Sequence, residues 1–86
     1  MSERYEVLTN YAKASGNFEY AANAYKRDRS EEKLSEAKRL IDNLVNTEFP
    51  KVRDYCNQHK NDKDIDSLLA IATADCVAMQ ELFNSL

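Results

Sequence analysis

The sequence has 86 residues, a single Gly, a single Pro and a net charge of −3. A chain of this length forms one domain, residues 1–86, and the scarcity of turn-forming residues favours an all-α fold. The mild acidity argues against a dedicated nucleic-acid binder, and no apolar run approaches the ~20 residues of a membrane span. The first residues lack the basic and apolar segments of a signal peptide, and the two cysteines lack a framework spacing. We therefore expect a cytoplasmic protein.

Two short helices are predicted for the first part of the chain. The first covers about residues 2–15, with Ser2 as its N-cap. Gly16 follows it, and a glycine in this position is typical of a helix C-terminus, where the left-handed conformation is common. The second helix covers about residues 17–28 and directs Phe18 inward.

A break in the chain is predicted after the second helix. Residues 26–33 contain no apolar side chain, so a helix through them would be exposed for two turns. We expect the break near residues 28–30, where a Ser or Asp could cap a new helix. The alternative is one long helix over residues 18–49 with an exposed middle.

A third helix is predicted for residues 30–59, kinked near Pro50, because the apolar phase continues past the proline. The alternative is a pair of helices that meet at residues 47–49. A polar turn over residues 60–64 precedes the last helix, about residues 64–85. The predicted fold is thus a small four-helix bundle in which sequential helices are antiparallel.

The last helix has an unusually wide apolar face. Its main stripe alternates steps of four and three residues, which places all members on one side of a helix. These residues are Ile65, Leu69, Ala72, Cys76, Met79, Phe83 and Leu86. Leu68, Ile71, Ala78 and Leu82 widen the stripe to roughly half the circumference at ~100° per residue. Such a face must be buried against other helices.

Asp75 breaks this pattern, because it is the only charge between residues 67 and 80. An unpaired buried carboxylate would be costly. Either an Arg or Lys of another helix pairs with it, or this side of the helix faces solvent. A third interpretation is a partner-binding surface with a central charge, formed by Leu68, Ile71, Asp75 and Leu82.

The sequence offers few groups for catalysis or metal binding. His59 is the only histidine, and with Cys56 it forms a C-x-x-H spacing that supplies half a zinc site. The other half would have to come from Cys76 and a carboxylate, or from a second chain. In a helical hairpin the two cysteines are offset by roughly 12 Å, beyond the about 7 Å that a disulfide spans. We expect two reduced, buried thiols, no metal, no cofactor and no enzymatic activity.

A cluster of cations lies around the predicted break, interleaved with acidic residues. Mixed charge of this kind is typical of a salt-bridged, solvated helix face. The alternative is phosphate or nucleic-acid contact in an accessory protein. The cations are Lys26, Arg27, Arg29, Lys33, Lys38 and Arg39.

Residues 5–25 resemble the helical hairpin of tetratricopeptide modules. The matching residues are Tyr5, Leu8, Gly16, Asn17, Phe18, Ala21 and Tyr25. No second repeat follows. The resemblance implies a helical hairpin used for protein contacts.

The sequence as a whole therefore favours an adaptor, regulator or inhibitor that acts by binding another protein. We also expect a homodimer formed through the last helix, because its stripe keeps the heptad spacing of interlocking helices over residues 65–86. The alternative is a monomer in which this helix is simply central.

Overall fold

The computed structural model describes residues 2–86 and shows three helices packed side by side. The first is α1 (Glu3–Arg27) and the last is α4 (Ile65–Asn84). Between them, α2 (Glu31–Asn43), a π-helical turn (Leu44–Glu48) and α3 (Phe49–Gln58) follow one another without a break and form one long helix. The all-α prediction is confirmed, but the predicted count of four helices is wrong, since there are three.

The predicted boundary at Gly16 is wrong, because α1 runs through it without interruption. Buried residues recur at helical spacing on both sides of Gly16, including Tyr11 and Ala14 before it and Phe18 and Ala22 after it. A glycine inside a helix costs about 1 kcal/mol, whereas burying one Phe side chain gains roughly 1.5–3 kcal/mol. The apolar stripe therefore outweighs the glycine. Residues 5–25, which carry the resemblance to tetratricopeptide hairpins, lie on this single helix.

The predicted break after α1 is confirmed. Asp28 leaves the helical conformation, with φ −138° and ψ 97°. Ser30 then caps α2, because its Oγ accepts a hydrogen bond from the Lys33 backbone N–H at 3.3 Å. The polar sequence ends one helix and starts the next within three residues.

The long middle helix covers the predicted range, and its irregularity is a π-helical turn just before Pro50. A proline has no N–H, and its ring clashes with the carbonyl four residues earlier in a regular α-helix. The wider turn relieves this clash, and the Phe49 N–H bonds to the carbonyl of Leu44 instead. A π-helical turn holds about one residue more than an α-helical turn. This offset keeps Leu44 and Val52 on the same side of the middle helix. Both side chains are 0% exposed in the core.

The middle helix runs back along α1, and α4 then lies parallel to α1. Near the start of both helices, Arg4 bonds to Asp64 at 2.8 Å, which lowers the pKa of that carboxyl. Further along, the rings of Phe18 and Phe83 lie 6.4 Å apart. Asp64 occupies the N-cap position of α4, but its side chain bonds to Arg4 and does not cap the helix.

The core lies where the three helices meet. The predicted inner stripe of α4 is confirmed at Ile65, Ala72 and Cys76, which are at most 6% exposed. The other members of that stripe are half-buried against the core. Among residues 2–86, no helix combines the length and apolar character required to cross a lipid bilayer.

Candidate protein-binding surface

Asp75 lies between α4 and α1 and is held by two hydroxyl groups. Its Oδ2 accepts hydrogen bonds from the Tyr11 hydroxyl at 2.7 Å and from Ser15 Oγ at 2.8 Å. Burial and the bond to Asp75 raise the pKa of Tyr11 well above its ordinary value. Of the three alternatives for Asp75, the Arg or Lys partner from another helix is not found, since no cation of residues 2–86 pairs with it. Tyr11 and Ser15 can both reach it because they are four residues apart on one face of α1.

The residues of the predicted partner surface do not share one environment. Leu68 and Leu82 are half-buried, because both pack against the core. Ile71 points outward and is 69% exposed. Leu68 and Leu82 therefore contribute mainly to packing inside the protein, and Ile71 is the exposed apolar residue of the predicted surface.

The outward side of α4 is also apolar, which the sequence prediction missed. Five residues on this side are exposed and uncharged: Ala70, Ile71, Ala74, Val77 and Ala78. We call these five residues the outer face. Val77 alone is 47% exposed. Thr73 lies in the same stretch, but its hydroxyl donates to the Leu69 carbonyl at 2.7 Å, so its hydrogen bonding is satisfied within the helix.

A groove between α1 and α4 adjoins the outer face at Ile71. It has a volume of about 310 Å³ and is mainly apolar. Its lining consists of Leu8, Tyr11, Ala12, Ser15, Leu68, Ile71, Ala72 and Asp75. The groove and the outer face together form a continuous apolar surface with one carboxylate in it.

The basic cluster is divided between the end of α1, the connection and α2. Lys33 lies 4.0 Å from Asp28, Lys38 lies 3.4 Å from Asp42, and Arg39 pairs with Glu36.

The remaining cations of the cluster lie nearer the break. Arg29 donates to the main-chain oxygen of Leu86 at 3.4 Å and stacks over the Tyr25 ring at 5.3 Å. Lys26 and Arg27 are exposed and make no ion pair with residues 2–86. Four of the six cations are thus engaged within the chain.

The cysteines and the histidine lie apart from this surface. Cys56 and Cys76 are both free and buried, as predicted, and burial raises the pKa of each thiol. His59 stacks on Tyr55 with ring centroids 4.1 Å apart, and its Nδ1 lies 2.9 Å from the Tyr55 carbonyl oxygen. Within residues 2–86, no three His, Cys, Asp or Glu side chains are placed to hold a metal ion.

Comparison of the chain with protein-family models, curated proteins and solved structures gives no match. The chemistry of the chain's own surface is therefore the basis for a functional proposal.

Proposed function

We propose that this protein acts by binding another protein through the outer face of α4, as an adaptor, regulator or inhibitor and without enzymatic activity. The observation that supports this most strongly is the exposed apolar side of α4. Over about two and a half helical turns, residues 70–78, that side presents Ala, Ile and Val and no charge. Solvent-facing helix surfaces are ordinarily polar, and a contiguous apolar patch marks an interaction site.

The energetics favour covering this surface. Ile71 is 69% exposed and Val77 is 47% exposed. Burying one such side chain fully gains roughly 1.5–3 kcal/mol. The alanines beside them add little area but let a partner approach closely. Two exposed apolar side chains surrounded by alanines are typical of a helix that packs against a helix of another protein.

Affinity enrichment from the cell that makes the protein tests the proposal. The bait is the full chain, compared with Ile71→Asp and with the matched control Asn57→Asp, which places the same charge on an exposed residue of α3. We expect a partner that the wild type and the control retain and that Ile71→Asp loses. If Ile71→Asp retains the partner as well as the wild type does, the binding site does not lie on the outer face of α4.

A second copy of the chain is another candidate occupant, and the homodimer expected from the sequence stays a prediction. Ala70, Ala74 and Ala78 recur every four residues, so two copies of α4 could approach closely. However, α4 carries Asp66, Asp75 and Glu81 and no cation, so two copies of the helix would repel each other. Sedimentation equilibrium at micromolar concentration separates a dimer from the 9.9 kDa monomer.

The nucleic-acid alternative has less support, because most of the basic cluster already contacts groups of the same chain. If the cluster binds phosphate, retention on DNA or RNA should fall with salt and should disappear on Arg27→Glu with Arg29→Glu. Binding to protein partners should not change in that double variant, since both residues lie away from the outer face.

A further inference from the structure

We infer that the groove between α1 and α4 receives a helix of a partner protein that places a Lys or Arg side chain against Asp75. This inference rests on the proposed function, because it names the chemistry of a partner bound at the same surface. It follows from the hydrogen bonding of Asp75, from the charges around it and from the shape of the groove.

Asp75 has one oxygen that residues 2–86 leave free. Oδ2 accepts both hydroxyl bonds, from Tyr11 and Ser15, whereas Oδ1 accepts none from residues 2–86. No buried side-chain oxygen or nitrogen in this part of the chain lacks a hydrogen-bond partner. Oδ1 therefore reaches solvent, and the residue that carries it lines the groove. A ligand that enters the groove meets a carboxylate oxygen with its acceptor capacity unused.

An apolar partner alone would fit this surface poorly. A chain segment that covers Ile71 also covers the adjoining groove and removes water from Asp75. A carboxylate that loses water without gaining a cation is strongly destabilised. The hydroxyl bonds compensate only one of its two oxygens. The occupant must therefore bring its own donor, and a cation compensates the charge as well.

Residues 2–86 do not supply that cation. No residue of α4 is Lys, Arg or His. Arg4, at the start of α1, is already paired with Asp64. Glu19 lies one turn beyond Ser15 on the groove side of α1, and Glu81 lies beyond the outer face, so the nearby charges add to the negative potential. Because α4 has no cation, a second α4 could not neutralise Asp75 either.

The groove has the form that suits a helical occupant. It runs between two parallel helices, and the small side chains of Ala12 and Ala72 form part of its lining. A helix laid along it would place apolar residues at every third or fourth position on Ile71 and Leu68. The long stem of a Lys or Arg can lie along these apolar groups while its charged end reaches Oδ1.

A displayed peptide library tests the inference with the full chain as target. The probes are 20-residue helical peptides displayed on phage. The positions on one side of each peptide, at every third or fourth residue, are Ala, Leu, Ile or Val. One central position on that side is fully randomised. We expect the peptides selected on the wild type to carry Lys or Arg at that position. Asp75→Asn should weaken them about 10- to 100-fold, because a hydrogen bond to a charged group is lost. Asp75→Glu keeps the charge and should retain the selection of Lys and Arg.

Controls keep folding and binding apart. The side-chain oxygen of an Asn can still accept bonds from Tyr11 and Ser15, so Asp75→Asn should keep its helical spectrum. Its melting temperature should fall only modestly, because two charge-assisted bonds become neutral ones. A double-mutant cycle measures the binding free energy of a synthetic peptide. Replacing the peptide cation with norleucine should weaken binding as much as Asp75→Asn does, and making both changes together should weaken it little more.

The inference is overturned if selected peptides show no preference for Lys or Arg, or if they bind Asp75→Asn as tightly as the wild type. In that case Ile71→Asp separates the two proposals. Peptides that lose binding on Ile71→Asp would show that the surface binds proteins and that only the partner chemistry is wrong. Peptides that ignore Ile71→Asp, or an empty selection, would count against the proposed function as well.

Discussion

Gly16→Ala distinguishes a continuous α1 from a chain that breaks at its glycine. Gly16 is exposed inside the helix, its φ is not positive, and an added Cβ would meet nothing within 4 Å. Alanine therefore fits without strain, and it loses less backbone entropy on folding than glycine does. We expect a gain of about 0.5–1 kcal/mol in the free energy of unfolding. For a domain of this size, 1 kcal/mol raises the melting temperature by roughly 4–8 °C.

Thermal and urea unfolding followed by circular dichroism at 222 nm measures this effect. The matched control is Ala12→Gly, an exposed position one turn earlier in α1, which should lose about 1 kcal/mol for the same reason. If Gly16 instead ended a helix in the left-handed conformation, alanine would be strained there. A fall in the melting temperature of Gly16→Ala would therefore refute the continuous helix.

Four further predictions concern the core, a cap, a tyrosine and the thiols. Phe18→Ala should lower the free energy of unfolding by about 3–5 kcal/mol, because the side chain is 0% exposed, and the urea midpoint of the helical circular dichroism signal should fall accordingly. Ser30→Ala removes the cap of α2 and should lower the free energy of unfolding by about 1 kcal/mol in urea titrations. The pKa of Tyr11 is raised in the folded chain, so the unfolded chain loses that proton first and stability should fall as pH rises above about 10. Urea midpoints measured across that range should fall less steeply in Tyr11→Phe, and equal slopes would contradict the assignment. Cys56 and Cys76 should react slowly with a thiol reagent in the native state and rapidly in denaturant, because burial raises the pKa of both thiols.

The sequence predicts the helices well wherever apolar spacing and capping residues agree. The break before Ser30 follows from a charged run and a capping residue that point to the same place. The boundary at Gly16 fails because a local signal competes with the apolar stripe of α1 on both sides of it. The helix propensity of a single glycine is worth about 1 kcal/mol. Burial of the apolar stripe outweighs it, because the free energy of burial adds up over several residues.

The surface on α4 is only partly predictable. The sequence shows that Asp75 interrupts an apolar helix, and that position does lie on the candidate surface. Which apolar residues stay exposed depends on how α1 and α4 approach each other, and spacing within one helix does not contain that information. Spacing alone therefore assigns Leu68 and Leu82 to the surface and does not single out the exposed residues Ala74 and Val77. The hydroxyl partners of Asp75 lie 60 and 64 residues away in sequence, beyond the reach of any local pattern.

The parallel pairing of α1 with α4 also sets the order in which the molecule can fold. Contacts between α1 and the middle helix join neighbours in sequence, and they can form early at little cost in loop entropy. The contacts that attach α4 to α1 span 60 to 65 residues, so they close the largest loops in the chain. Because closing such loops costs the most entropy, we expect these contacts to form late in folding. Weakening them should speed unfolding far more than it slows folding, so the lifetime of the folded molecule depends on the same helix pair that forms the binding surface.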